Sequence, residues 1–207
     1  MLDKFIAKHL SEPKGFCGRL VFYFMNKQNR PVYEKVADIL ALTDNDNVLD
    51  IGCGNGNVLN MLAVKYDCTF TGIDISESII TAAKHKNMKY VASGKMHFDC
   101  QNINAIGFAD STFDKVYTIN TVYFWDSLDK AMAEIKRILK PEGVFYNTLF
   151  SNGTLDRFSF TKNGYKKFTQ EQLTKVGEDL GFDVEVVPIF NGYANCYIYR
   201  NRGRQND

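Results

Sequence analysis

The sequence predicts an α/β protein: a doubly wound, mostly parallel sheet with a helical cap before it and an antiparallel hairpin after it. Three observations lead there. Between residues 48 and 150, strand-length apolar runs alternate with helical periodicities, the pattern that puts helices on both faces of a parallel sheet. The first run leads directly into three closely spaced glycines. Near the end, Phe182 to Ile189 and Tyr193 to Arg200 flank Phe190-Asn191-Gly192, and Asn-Gly between two β-rich runs signals a hairpin.

Taken in order, Leu2, Phe5, Ile6 and Leu10 fall near helical spacing. Pro31 suits the first position of a further helix, with Val32, Tyr33, Val36, Ile39 and Leu40 on its buried face. Val48 to Ile51 is a short apolar strand, Val58 to Tyr66 a helix, and Cys68 to Ile73 a second strand. Ser76 is placed to cap a helix running to about Met88. Lys95 to Asp99 and Lys115 to Ile119 supply the next strands. Leu128, Ala131, Met132, Ile135, Ile138 and Leu139 share one helical face, and Pro141-Glu142-Gly143 is expected to close that helix before the strand Val144 to Phe150. Ser151 to Lys167 is polar and reads as an excursion over the sheet edge. Thr169 is set to cap a helix that Gly181 ends.

At 207 residues the chain is the size of one domain and needs no disulfide or metal staple. Its parts are expected to be terminal helices over 1–44, a cofactor-binding core over 45–150, and a variable region with the hairpin over 151–207. Lys and Arg number 25 against 24 Asp and Glu, so the net charge gives no reason to expect a nucleic-acid partner. Five cysteines without a C-x-x-C pair fit reduced thiols in a cytoplasmic protein, and no apolar run is long enough for a membrane span. The three histidines form no metal-ligand grouping and no Ser/His/Asp arrangement, so no metal is expected and no catalytic base is legible.

The glycine loop is the most informative segment: Val48-Leu49-Asp50-Ile51-Gly52-Cys53-Gly54-Asn55-Gly56. Glycine belongs where backbone turns at positive φ or approaches a ligand without a Cβ in the way. A dinucleotide fingerprint is G-x-G-x-x-G, whereas here the pattern is G-x-G-x-G and the third dinucleotide position is Asn57. Asp50 puts a carboxylate beside the loop, which suits a cationic amino group better than a phosphate. Asp74, eighteen residues after Gly56 at the end of the second strand, can accept hydrogen bonds from both hydroxyls of a ribose.

These residues resemble the first two motifs of the class I S-adenosylmethionine-dependent methyltransferases, in particular the small bacterial type 11 group. Ile106 to Asp114 is similar to the family's Leu-Pro-Phe…Phe-Asp stretch, and Ile138 to Gly143 to its Leu-Lys-Pro-Gly-Gly turn. The resemblance implies a seven-stranded Rossmann-like sheet and S-adenosylmethionine as cofactor, with S-adenosylhomocysteine as product. It implies that Gly52, Cys53, Gly54 and Gly56 pass beneath methionine and ribose, with Asp50 near the amino group. Asp74 would bind the ribose, Ile75 would pack on adenine, and Asn120 would lie beside the methionine group. Where the family often has an acidic residue for the adenine amino group, counting gives Asn102, followed by Ile103, with Asp99 as the competing position.

The loop Asn120 to Asp126 follows a strand end, so Tyr123 and Trp125 are candidates to border the methyl acceptor, or else to pack the following helix on the sheet. Tyr23 and Asn26 are candidate lid residues in the aromatic, basic stretch Phe16 to Pro31. Tyr165, Phe168, Phe190, Tyr193 and Tyr197 are further candidates from the last third. The expected activity is methyl transfer to a small-molecule acceptor by direct displacement. Methylation of RNA or protein, and a non-catalytic cofactor-binding sensor, are the competing readings. The oligomeric state is not legible.

Overall fold

The computed structural model describes residues 28–162 and 164–202, and the readings placed on Leu2 to Leu10, Tyr23 and Asn26 lie outside the described residues. The first described helix, α1, covers 28–39, so Pro31 lies inside it rather than at its first position. Its Val32, Val36 and Ala37, with Leu40 just beyond, are buried against the sheet.

Five strands follow in the expected places: β1 (Asn47–Ile51), β2 (Thr69–Asp74), β3 (Met96–Cys100), β4 (Phe113–Ile119) and β5 (Leu139–Phe150). With β6 (Phe182–Ile189) and β7 (Ala194–Asn201) they form one seven-stranded sheet in the order β3-β2-β1-β4-β5-β7-β6. The first five are parallel, and β7 is antiparallel to both β5 and β6. The order reverses between β1 and β4, the switch point where ligands bind in open α/β sheets. Val48 to Ile51 are all buried because β1 has neighbours on both sides and helices on both faces, which is why it reads as an unbroken apolar run.

Helices α2 (Asn57–Lys65) and α3 (Glu77–Lys86) join α1 over one face, around Leu59, Leu62, Phe70 and Phe98. After Asn87 the chain restarts as the short α4 (Met88–Ala92), so the helix expected to reach Met88 is split in two. Ser76 occupies the N-cap position but its side chain makes no capping bond; its backbone N–H goes instead to the Asp74 carboxylate. Helix α5 (Leu128–Ile138), capped by the Ser127 hydroxyl, covers the other face with Ala131, Met132, Ile135 and Ile138.

The Pro141-Glu142-Gly143 turn does not separate helix from strand as expected. β5 already pairs at Leu139 with Phe113, then bulges so that Val144 pairs with Lys115, and Glu142 sits at φ 65° within the bulge. Lys140 Nζ and the Asn47 N–H both donate to Asp114 Oδ2, at 2.7 and 2.9 Å, which pins the bulge and the start of β1 to the same carboxylate. Beyond α6 (Asn152–Leu155), Thr169 and Gln172 make a reciprocal capping box on α7 (Gln170–Asp179), and Gly181 follows at φ 77°. The hairpin turns at Asn191 and Gly192, both at positive φ, as a primed turn requires.

Helix α7 packs against β7 at Gly177, where a Cβ would stand 2.5 Å from Tyr199 Cδ1. Replacing Gly177 by Ala is expected to destabilise the fold by about 1–3 kcal/mol by displacing the fully buried Tyr199 ring. Urea unfolding would register this as a lower midpoint at unchanged slope.

Candidate functional site

A cavity of about 280 Å³ opens at the carboxyl ends of β1, β2 and β4. Of the sequence-predicted residues, Asp50, Gly52, Cys53, Asp74, Ile75, Asn102, Ile103, Asn120, Tyr123 and Trp125 all line it. Gly54 and Gly56 do not; they act on the backbone behind it. The Gly54 N–H donates to Asp74 Oδ2 at 3.3 Å, and Gly56 is the left-handed residue from which α2 starts. A Cβ at Gly56 would stand 2.6 Å from Asn87 Nδ2 and 2.8 Å from Phe98 Cζ. Gly52 is also at positive φ, and a Cβ there would run into the Thr121 methyl. These glycines therefore let the loop sit against β3 and the β4 loop while its own N–H groups bond to the end of β2.

Asp50 is buried at the cavity floor and receives the Tyr117 hydroxyl at 2.8 Å, from the residue paired with it across β1 and β4. Burial pushes its carboxyl up from 3.8 to about 7, opposed by the Tyr117 hydrogen bond and reinforced by the nearby charge of Asp74. Tyr33 of α1 lies above it, its phenol pushed up to about 12, chiefly by burial. At the end of β2, Asp74 accepts from the N–H groups of Ser76 and Gly54. Burial raises its pKa, and those amides hold it down. Beside it Ile75 is 56% exposed at the cavity wall.

Asn102 lines the cavity, but its Oδ1 already accepts from the N–H and the side-chain amide of Asn104, at 2.9 and 3.1 Å. What it offers a ligand is its amide N–H₂. Asp99 lies on the edge strand β3 and is not among the lining residues. Asn120 adopts φ 59° at the end of β4; its Oδ1 accepts from the Tyr123 hydroxyl and from the Phe150 N–H.

The other end of the cavity is aromatic. Tyr123 packs against Tyr165 at 5.2 Å, and Trp125 stacks over Phe145 in the core while still facing the cavity. Trp125 therefore both packs on the sheet and lines the cavity. Lys166 fastens it, donating from Nζ to the carbonyls of Trp125 and Asp126 and from its N–H to Tyr123. Tyr193 lines the cavity, whereas Phe168, Phe190 and Tyr197 do not.

The polar excursion after β5 does more than cross the sheet edge, since Leu155, Phe158, Phe160 and Thr161 all reach this wall. Sequence reasoning missed them, although aromatics at 158, 160 and 165 in a polar stretch were a usable signal. It also missed Gln28 and Asn29 of α1, for which no local signal exists. Among the described lining residues there is no Lys, Arg or His. No group of three metal-ligating side chains occurs among the described residues, and no described helix is long and apolar enough to cross a membrane.

A glycine loop at a switch point, flanked by carboxylates at the ends of β1 and β2, is an α/β arrangement whose chemistry suits a nucleoside that carries a cationic group. The family model described as a methyltransferase domain matches residues 49–147. That match, just under half of the chain, identifies residues 49–147 as a methyltransferase domain. The chain is 40% identical over 118 residues to sterol 4-C-methyltransferase strm-1 of Caenorhabditis elegans, covering 53% of this chain and 33% of that one. Its fold matches a chain from the complex of the Haloferax volcanii Trm112 methyltransferase activator with a methyltransferase. That TM-score is 0.79 at 16% identity, covering 89% of this chain and 94% of the other. A SAM dependent methyltransferase from Aquifex aeolicus matches with TM-score 0.65 at 22% identity, covering 81% and 88%. The chain spans less than half the length of the first curated relatives it matches.

The Asp50 carboxyl keeps its proton in the fold at pH values where the unfolded chain has lost it. Its contribution to stability is full below about pH 4 and is lost as the pH rises through 7. Asp50→Asn, which can still accept from Tyr117, is expected to raise stability at pH 8 by about 2 kcal/mol, allowing for water in the cavity. Thermal melts of both proteins at pH 4 and pH 8 check this: the gain should be confined to the higher pH.

Proposed function

We propose that the chain transfers the methyl group of S-adenosylmethionine to a small-molecule acceptor by direct displacement. The observation that carries this reading is a single cavity with an acidic, glycine-edged end and an aromatic end, both opening at the sheet's switch point. The residues present fit the cofactor. Asp50 and Asp74, with no cationic side chain among the described lining, favour a ligand bearing an ammonium and a sulfonium.

Asp50 would accept from the methionine amino group, and Gly52 and Cys53 would let the chain pass close beneath it. Asp74, which accepts from the backbone N–H groups of Gly54, Ser76 and Ile75, would still offer the ribose a carboxylate lone pair. Ile75, apolar and exposed, would pack on the adenine with Ile103, while the Asn102 amide and the Ile103 N–H would meet its edge. Asn120, held by its side chain to Phe150, would place its backbone along the methionine group.

The bound cofactor supplies an electrophilic methyl group with its own driving force. The protein's share is alignment and exclusion of water, and orientation of this kind can lower a barrier by several kcal/mol. The walls of Tyr123, Phe124 and Trp125 supply both. The strm-1 relative, named for methyl transfer to a sterol, supports a small-molecule acceptor. A lining without Lys, Arg or His among the described residues disfavours RNA. The free cysteines Cys53, Cys68, Cys100 and Cys196 support a cytoplasmic setting.

Calorimetric titration with S-adenosylmethionine, S-adenosylhomocysteine and NAD tests the reading. Both adenosyl ligands should bind and NAD should not. Asp74→Ala should weaken both by about 30-fold, the loss of charge-assisted hydrogen bonds worth about 2 kcal/mol. Binding of NAD alone would contradict the proposal.

A further inference from the structure

We propose that the aromatic end of the cavity takes an uncharged, planar acceptor bearing a hydroxyl or ring N–H, oriented by a hydrogen bond to the Tyr165 side chain. This rests on the methyltransferase reading above and specifies the acceptor's class.

Tyr165 meets Phe124 edge-to-face at 4.7 Å and Phe160 at 6.1 Å, and Phe160 lies 5.5 Å from Phe158. These rings touch one another and form a continuous apolar surface suited to a flat ligand. They are not parted as the faces of a cage around an ammonium would be. The described lining gives an anion no Lys, Arg or His to pair with, and adds Asp50 and Asp74 at the far end and Asp126 at an exposed position. A carboxylate or phosphate placed there would lose its hydration without compensation.

The polar atoms at this end are mostly committed, apart from the buried side-chain N–H₂ of Asn120 beside the β4 end. The Tyr123 hydroxyl accepts from the Phe150 N–H at 2.6 Å and lies 3.1 Å from Asn120 Oδ1. The Thr161 hydroxyl lies 2.7 Å from the carbonyls of Leu155 and Phe158. The Lys166 ammonium is spent on the carbonyls of Trp125 and Asp126. The Tyr165 hydroxyl, by contrast, has no hydrogen bond to any described residue, although its ring is fixed by Tyr123, Phe124 and Phe160. Burial raises its pKa, so it remains a neutral phenol able to donate or accept. A half-buried, uncommitted phenol facing the cavity from a largely apolar wall is a specificity element: it favours a ligand with one matching polar atom and leaves the rest of the ligand to ring contact.

Three probes of one shape test this on the protein loaded with S-adenosylhomocysteine: 2-naphthol, 2-naphthoate and 2-naphthylmethylammonium. Calorimetry is expected to give 2-naphthol an affinity at least about tenfold above either charged analogue. Tyr165→Phe, which keeps the ring and its packing, is expected to weaken 2-naphthol about 5- to 10-fold, the value of one hydrogen bond. The same variant should bind S-adenosylhomocysteine unchanged. Tighter binding of either charged probe, no binding of 2-naphthol, or an unaltered 2-naphthol affinity in the variant would overturn the proposal. Failure of the wild-type protein to bind S-adenosylhomocysteine would overturn the underlying methyltransferase reading instead.

Discussion

A carboxylate buried at the centre of the sheet, held by the hydroxyl of the neighbouring strand, is the constraint around which the site is arranged. Asp50 and Tyr117 face each other in register across β1 and β4, and both are almost fully buried. A lone carboxylate in that position is costly, and one neutral hydrogen bond offsets only part of the cost. The raised Asp50 pKa expresses the remainder. A fold that keeps such a group carries a local instability that a cationic ligand would relieve, and the proposed function gives that cation an identity. The same logic extends to Asp74, whose backbone donors hold it for use at the cavity wall.

The glycine loop follows from how closely three elements must meet around these carboxylates. Gly52 passes against Thr121, which follows β4, and Gly56 against Asn87 and Phe98. Gly72 of β2 lies where a Cβ would stand 2.8 Å from both Cys53 Sγ and Leu59 Cδ1. Any side chain at these points would push the loop outward and pull Asp50 and Asp74 away from a shared ligand. The aromatic end has no such rigid frame and is assembled instead by tethers, with Lys166 bonding across to the β4 loop and Asn152 to the Phe168 carbonyl.

The acidic end was legible in the sequence because its determinants are local: a strand, a glycine spacing and a carboxylate at each strand end. Strand positions were legible for the same reason, each run being bounded by residues that punctuate backbone. The bulge at Pro141 to Gly143 was misplaced because the pairing of Leu139 with Phe113 is a long-range event that no local pattern encodes. Asn102 was readable as a cavity residue, but the loss of its oxygen to Asn104 depends on a loop conformation. The aromatic wall was least legible: Tyr165 could be named only as one of several aromatics, Phe158 lies in irregular backbone, and Phe160 sits in a single 3-10 turn (Ser159–Lys162) too short for any spacing to mark a buried face. Asn29 and Tyr33 read as ordinary helix positions; only the packing of α1 beside Asp50 brings them to the cavity.

The proposed function requires Asp50 to be ionised when it holds the cationic end of the cofactor. The direct measurement is the affinity of the unmodified protein for S-adenosylhomocysteine, followed calorimetrically from pH 5.5 to pH 7.5, below the usual pKa of an α-amino group. Asp50 titrates near 7 in the free protein, so affinity should rise with pH across this range, with proton release on binding that is largest at its acidic end. An affinity that is flat or falls as the pH rises would contradict the claim and take the buried carboxylate out of cofactor recognition.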